Sequence, residues 1–265
     1  MSRRASSLVA FLASVASSVA SSSSAWALCS RDTAEIGSCG DYSIGVFAPL
    51  VYDINDNLAV RGHPLTFFVA PNAVLEVNHG GLGPVRLKGE YGLSVPTGGM
   101  MLLQGFVFPT WDHSDRQVGW FLVPRAGVVA SLWRGEPHVL SGRVNLAVGV
   151  PLTHSDATPL GGIAPLELLF APVLASYRAQ IGVDYDRSLL PWLRARAGVD
   201  VFAFGDAPAI TLRANLGVDI AVGEWSRFLV GCVWWNSDTG AIDLESHESA
   251  RSNDFLPTVD FIWAG

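Results

Sequence analysis

The stretch Ile210-Thr-Leu-Arg-Ala-Asn-Leu-Gly-Val-Asp-Ile-Ala-Val222 carries the signal on which the fold turns. Ile210, Leu212, Ala214, Leu216, Val218, Ile220 and Val222 fall on one side of an extended strand. Thr211, Arg213, Asn215, Gly217, Asp219 and Ala221 fall on the other. Successive side chains of a strand point to opposite faces, so a period of two marks a strand, whereas a helix would mix the two sets around its circumference. One face is wholly aliphatic and the other holds a cation, an anion and an amide. In a water-soluble barrel the aliphatic face lines the core. In a transmembrane barrel it meets lipid, and the polar face lines the lumen.

The same alternation recurs along the chain. Asp41 to Tyr52 reads as a first strand, weakened by Pro49, and 53–63 as a loop. Further strands follow over Leu65 to Asn78, Val85 to Val95, Val118 to Trp133, His138 to Val150, Pro165 to Asp186, Leu193 to Phe204, Arg227 to Asn236 and Phe255 to Ala264. With the opening strand, this makes about ten crossings, or about twelve if the regions around Pro172 and Met100 each hide one more. No helical pattern of useful length emerges. The expected fold is all-β, a single antiparallel up-and-down transmembrane barrel over 41–265.

From the second strand onward the connections run short, long, short, long, short, short, short, long. Except for Gly205 to Pro208, the short ones fall at one end and the long ones at the other, as when a barrel has short periplasmic turns and longer external loops. Trp133, Trp192, Trp225 and Trp263 then lie at the short-turn end, and Trp111, Trp120, Trp234 and Trp235 toward the long loops. Two aromatic girdles at the membrane interfaces account for that arrangement.

Mean hydropathy is +0.33, and 15% of the 265 residues are charged. Yet there is no unbroken apolar run of the roughly 18 residues that a spanning helix needs. Arg3 and Arg4, an apolar Leu8 to Leu12 stretch and Ala25-Trp26-Ala27 read as a secretory signal over 1–27. Leu28 precedes Cys29 where a lipidation signal needs a small residue. Without Arg3 and Arg4, Lys+Arg falls from 17 to 15 against 24 Asp+Glu, a net charge of about −9. That balance argues against a nucleic-acid partner. Residues 28–40 are expected to form a periplasmic segment in which Cys29 and Cys39 pair, and Cys232 to be a small buried or lipid-facing residue.

The polar faces collect Arg86, Lys88, Glu90, Arg125, Arg143, Arg178, Asp184, Arg194, Arg196, Asp200, Arg213, Asp219 and Asp260. A solvated surface would favour Lys and Glu. Arg and Asp dominate here, and Arg is the better partner for geometrically fixed, partly desolvated ion pairs. The aliphatic faces are long rows of Ala, Val and Leu with few bulky residues to fill a core, which lipid does not require. These thirteen residues are expected to line a lumen.

In its signal segment, its alternating strands, its loop asymmetry and its terminal strand Leu256-Pro-Thr-Val-Asp-Phe-Ile-Trp-Ala-Gly265, the chain resembles bacterial outer-membrane β-barrel proteins. The resemblance covers nearly all of the mature chain and is one of architecture. It implies residence in the outer-membrane bilayer and recognition of the last strand by the insertion machinery. Members usually end in an aromatic residue; here Ala264 and Gly265 follow Trp263.

Chemistry-bearing residues concentrate in the long loops: His113 and Asp115, His154 and Asp156, and His247. Neighbours in an extended tripeptide point apart, so a catalytic group would have to be assembled from different loops. No phosphate loop, CxxC or HExxH motif is present, and no cofactor or metal is expected. Three readings follow: a structural barrel or narrow porin-like channel, an outer-membrane barrel enzyme working at the rim, and a soluble barrel with an apolar ligand inside.

Overall fold

Alternation in the sequence is realised as one antiparallel sheet that closes on itself. The computed structural model describes residues 32–37, 40–68, 70–103, 118–133, 138–155, 170–173, 175–205, 210–223, 225–238 and 251–265. The strands are β1 (Tyr42–Gly45), β2 (Leu50–Asn55), β3 (Leu58–Gly62), β4 (Asn72–Leu82), β5 (Val85–Ser94), β6 (Phe121–Trp133), β7 (His138–Val148), β8 (Val150–Pro151), β9 (Tyr177–Leu190), β10 (Leu193–Phe204), β11 (Ile210–Ala221), β12 (Ser226–Asp238) and β13 (Arg251–Ala264). Apart from β8, each pairs with its neighbours along the chain, so that β7 pairs with β9, and β1 pairs with β13 to close the ring. β8 continues β7 past Gly149 and meets Phe121 and Leu122 of β6. The closed wall therefore has twelve staves.

The two crossings beyond ten come from a place the periodicity did not mark. Residues 42–62 hold three short strands rather than one strand and a loop. Proline has no N–H to give a ladder, so the chain turns around Pro49 and splits β1 from β2. At the next turn the Asn57 N–H donates to Asn55 Oδ1 at 2.9 Å, a side-chain-closed turn that starts β3. Among the described residues neither the Pro172 nor the Met100 region holds a further strand: residues 170–173 are helical, and α2 spans Thr97–Leu103. Its predecessor α1 (Pro64–Phe67) takes the start of the expected Leu65 to Asn78 strand, with Pro64 at its first turn.

Which face points inward is decided by burial. Outward positions are aliphatic and exposed: Val144 at 58%, Ile181 at 62%, Val199 at 53% and Leu216 at 63%. Lys88 at 1%, Asp200 at 0%, Asp186 at 2% and Arg194 at 2% lie on the opposite face, inside the ring. This inverts a water-soluble barrel, and it overturns the soluble reading with an apolar interior. Cys232 is exposed on the outward face. Trp192, Trp225 and Trp263 are exposed near the short turns, with Tyr42 and Tyr52 beside them. Trp120 is exposed at the other end. Trp235 differs from its expected girdle position: it points inward and is 6% exposed.

Candidate functional site: the ion-paired interior

Two sets of charges occupy the inside of the ring. The first spans β3 to β6. Arg61 reaches Glu76 at 3.0 Å and Glu90 at 2.9 Å, and Lys88 Nζ lies 2.7 Å from Glu76 and 3.8 Å from Glu90. Arg125 joins at 3.4 Å from Glu90. The register explains the grouping, because Glu76 and Glu90 are direct cross-strand partners on β4 and β5. Two facing carboxylates in a sheet repel unless cations are placed between them.

The second set spans β7 to β12. Arg143 pairs with Asp184. Arg213 Nη2 and Nε both reach Asp200 Oδ2, at 2.6 and 2.9 Å, while Gln180 donates to Asp200 Oδ1 at 2.7 Å. Arg196 Nε and Arg194 Nε lie 3.1 and 3.6 Å from Asp186 Oδ1, and Arg227 Nη1 lies 3.8 Å from Asp219. Arg213 and Asp200 stand opposite one another on β10 and β11, whereas Arg143 stands opposite Gly182 and reaches diagonally to Asp184. Arg suits such sites because its flat fork can satisfy two acceptors from one position.

Glycines make the room for this. A Cβ at Gly182 would collide with the Asp200 carboxylate, and one at Gly198 with that of Asp184 and, at 2.7 Å, with Asn215 Nδ2. Gly198→Leu is therefore expected to disrupt the network and lower stability by about 1–3 kcal/mol or more. The measurement is heat-modifiable mobility on a detergent gel, and an unshifted folded band would contradict this account.

Asp260 has a different job from its neighbours. Its Oδ1 accepts the N–H of Val46 at 2.8 Å, Phe47 at 3.1 Å and Phe261 at 2.8 Å, and its Oδ2 that of Ala48 at 2.8 Å. It thereby ties the β1–β2 turn to β13 where the ring closes over three residue pairs. Asp260→Ala leaves backbone donors without that acceptor, at about 1–3 kcal/mol for each that stays buried. The expected result is a lower urea midpoint, with seam opening detectable as faster proteolysis after Phe47. Arg86 is exposed at the short-turn end, and Arg178 lies near the opposite mouth with its guanidinium 6.0 Å from the Phe202 ring.

Both ends of the interior are narrowed. At the loop end Ala171, Ala175, Phe202, Phe204 and Trp235 form a buried apolar cluster, with Arg213 over Trp235 at 5.5 Å and Phe202 at 5.7 Å. From the other side residues 32–37 run inside the ring. The Ala34 N–H donates to Ser131 Oγ at 2.8 Å, the Gly37 N–H donates to Asp53 Oδ2 at 3.1 Å, and Asp32 pairs with Arg196. Thr33 and Ala34 are fully buried. Beside Asp32 lies a cavity of about 660 Å³ whose lining includes Arg143, Arg196 and Arg213 together with Asp184 and Asp260.

Burial raises the Asp32 carboxyl pKa, but the guanidiniums of Arg196, Arg143 and Arg61 outweigh it and hold the group well below the usual carboxylate range. A depressed carboxylate stabilises the folded state at pH above its ordinary value near 4. That contribution fades only as pH falls below this value toward the depressed one. The Asp32–Arg196 contact is therefore expected to be insensitive to pH between 8 and 5.

Of the loop residues, His154 is exposed at the rim beside a cavity of about 530 Å³ that includes Phe121, Thr153 and Val173. His113, Asp115, Asp156 and His247 lie outside the described residues, as do the signal segment, Trp111, Cys29 and Cys39. Among the described residues no group of three potential metal ligands comes together. Sequence reading missed Arg61, Glu76, Asp186 and Asp32. The alternation Leu58, Val60 against Ala59, Arg61 could have exposed Arg61, and Glu76 shares one face of the expected Leu65 to Asn78 strand with Asn72 and Asn78. Nothing local marks Asp32, whose partner is 164 residues away.

A closed antiparallel ring with an aliphatic outer wall and an ion-paired interior is the architecture of bacterial outer-membrane β-barrel proteins. No protein-family model and no curated protein matches the chain. Among solved structures it is similar to outer-membrane expressed OmpT of Vibrio cholerae, at 13% identity and a TM-score of 0.44 over 81% of this chain and 63% of that one. It is also similar to the outer membrane protein OprD of Pseudomonas aeruginosa, at 11% identity and a TM-score of 0.42 over 84% of this chain and 62% of that one. The chain thus spans less than two thirds of the length of either.

Proposed function

We propose that this protein is a narrow porin-like channel of the outer membrane, held closed in the described state, with Arg/Asp pairs lining its path. The observation that carries the reading is a cavity of about 660 Å³ beside Asp32, where Arg143, Arg196 and Arg213 meet Asp184 and Asp260, in a ring that holds an apolar cluster at the loop mouth and residues 32–37 in its interior. A purely structural barrel has no need of an unfilled space of this size, since interior side chains of small barrels can fill it. A solute path does need one. The fixed charges would sort solutes by sign and size, and their pairing keeps the desolvation cost of each ion low.

On this reading residues 1–27 are a removed export signal, residues 28–40 carry the Cys29–Cys39 bridge, and 41–265 form the barrel. The terminal strand, with Phe261 and Trp263 outward, is the segment presented to the insertion machinery. The purified full-length mature protein, reconstituted in a planar bilayer, is expected to show rare, small openings. Openings should become frequent when residues 32–37 are replaced by a Gly/Ser segment of equal length. Silence of both proteins, with heat-modifiable mobility showing that both are folded, would rule out a channel and leave the structural barrel.

A further inference from the structure

Arg196 is shared between two carboxylates that differ in origin. Its Nε serves Asp186 on β9, part of the wall, at 3.1 Å, and its Nη2 serves Asp32, part of the segment that precedes the first strand. The other cations facing the cavity have partners built into the wall: Arg143 has Asp184, and Arg213 has Asp200. Asp260, the remaining anion of the lining, is already occupied by backbone N–H groups from the β1–β2 turn. Asp32 is thus the one carboxylate of this set not anchored to a strand, and 41% of its side-chain surface remains open to the cavity.

We propose that the Nη2 edge of Arg196, with Arg143 beside the same cavity, is a binding site for small organic carboxylates, and that Asp32 fills it as a tethered stand-in. Withdrawal of residues 32–37 takes the Asp32 carboxylate off Arg196 and leaves a guanidinium edge facing a space large enough for a small carboxylate. A carboxylate solute restores the pair that Asp32 made, so the solute and the closing segment compete for the same edge, and occupancy of the site favours the open path. The inference rests on the channel reading for its consequence, but the site can be tested without conduction.

Calorimetric titration of sodium benzoate into the detergent-solubilised full-length mature protein reads the site directly. Wild type is expected to bind weakly. Asp32→Ala, and the near-isosteric Asp32→Asn, are expected to bind at least about tenfold more tightly, because the internal competitor is gone. Adding Arg196→Lys keeps a positive charge beside Asp186 but loses the fork that serves two acceptors, and should return binding toward the wild-type level. Each variant is first checked for heat-modifiable mobility. Binding by both Asp32 variants no tighter than wild type, or tight binding that survives Arg196→Lys, overturns the proposal. A parallel bilayer recording separates the two readings. Asp32-dependent benzoate binding without any current leaves the site and removes the channel, whereas current without such binding leaves the channel and removes the site.

Discussion

Leu216→Arg abolishes insertion of the folded barrel into lipid, the expected consequence of where β11 places this side chain. Leu216 lies midway along its strand, between Ala197 of β10 and Cys232 of β12, and 63% of its surface faces outward. A cation on the lipid face near mid-membrane costs about 2–4 kcal/mol, a large part of the roughly 5–15 kcal/mol that separates folded from unfolded chains. The measurement is refolding into phospholipid vesicles, followed by the heat-modifiable band and by protection from added protease. Leu216→Phe, which keeps an apolar surface, serves as the control and should insert normally. Efficient insertion of the Arg variant would mean that this face does not meet lipid. The adjacent Asn215 gives the complementary test, since it faces the charged cavity and packs against the position where Gly198 lacks a side chain. Asn215→Leu is harmless on a solvated surface and damaging in a crowded polar interior.

Lys88→Met has the second large effect, a loss of about 3–5 kcal/mol. Lys88 is 1% exposed and lies between two carboxylates that face one another across β4 and β5. Methionine fills a similar volume but leaves Glu76 and Glu90 with fewer cations, and an uncompensated buried charge costs far more than an exposed one. The urea midpoint in vesicles reads the loss. Adding Glu76→Gln should recover part of it by removing the charge that Lys88 neutralised, and this recovery distinguishes an electrostatic cause from a packing one. Failure of the second substitution to restore any stability would show that Lys88 acts through its stem alone.

The reach of sequence reading differs between parts of this molecule for identifiable reasons. Strands β5 to β7 and β9 to β13 were legible because a dozen or so residues of strict alternation leave little room for another period. The region 42–62 was not, because strands of four to six residues are too short to show a period, and Pro49 suggested interruption where it made a turn. The charged residues followed the same logic. Lys88, Glu90, Asp184, Asp200 and Arg213 were visible as polar members of alternating runs, and the structure pairs them within or between neighbouring strands. Asp260 looked like another of these, yet its four N–H partners make it a fastener for the barrel seam. Trp235 looked like a girdle residue because a tryptophan near a strand end is common there; its parity in β12 turned it inward onto Arg213.

By itself, the sequence determined that the chain is a strand-built barrel with one aliphatic and one charged face, because the period of two is a local property set by the pleat of each strand. The outward direction of the aliphatic face, expected from the loop asymmetry and the Arg- and Asp-rich polar face, is what burial shows. Tertiary structure alone decided how twelve staves close the ring and which charge meets which. Those outcomes depend on register and closure between strands distant in sequence. It also decided what occupies the interior. The contact between Asp32 and Arg196 spans 164 residues, and no local pattern encodes it: only the curvature of the closed wall brings the N-terminal segment beside β10.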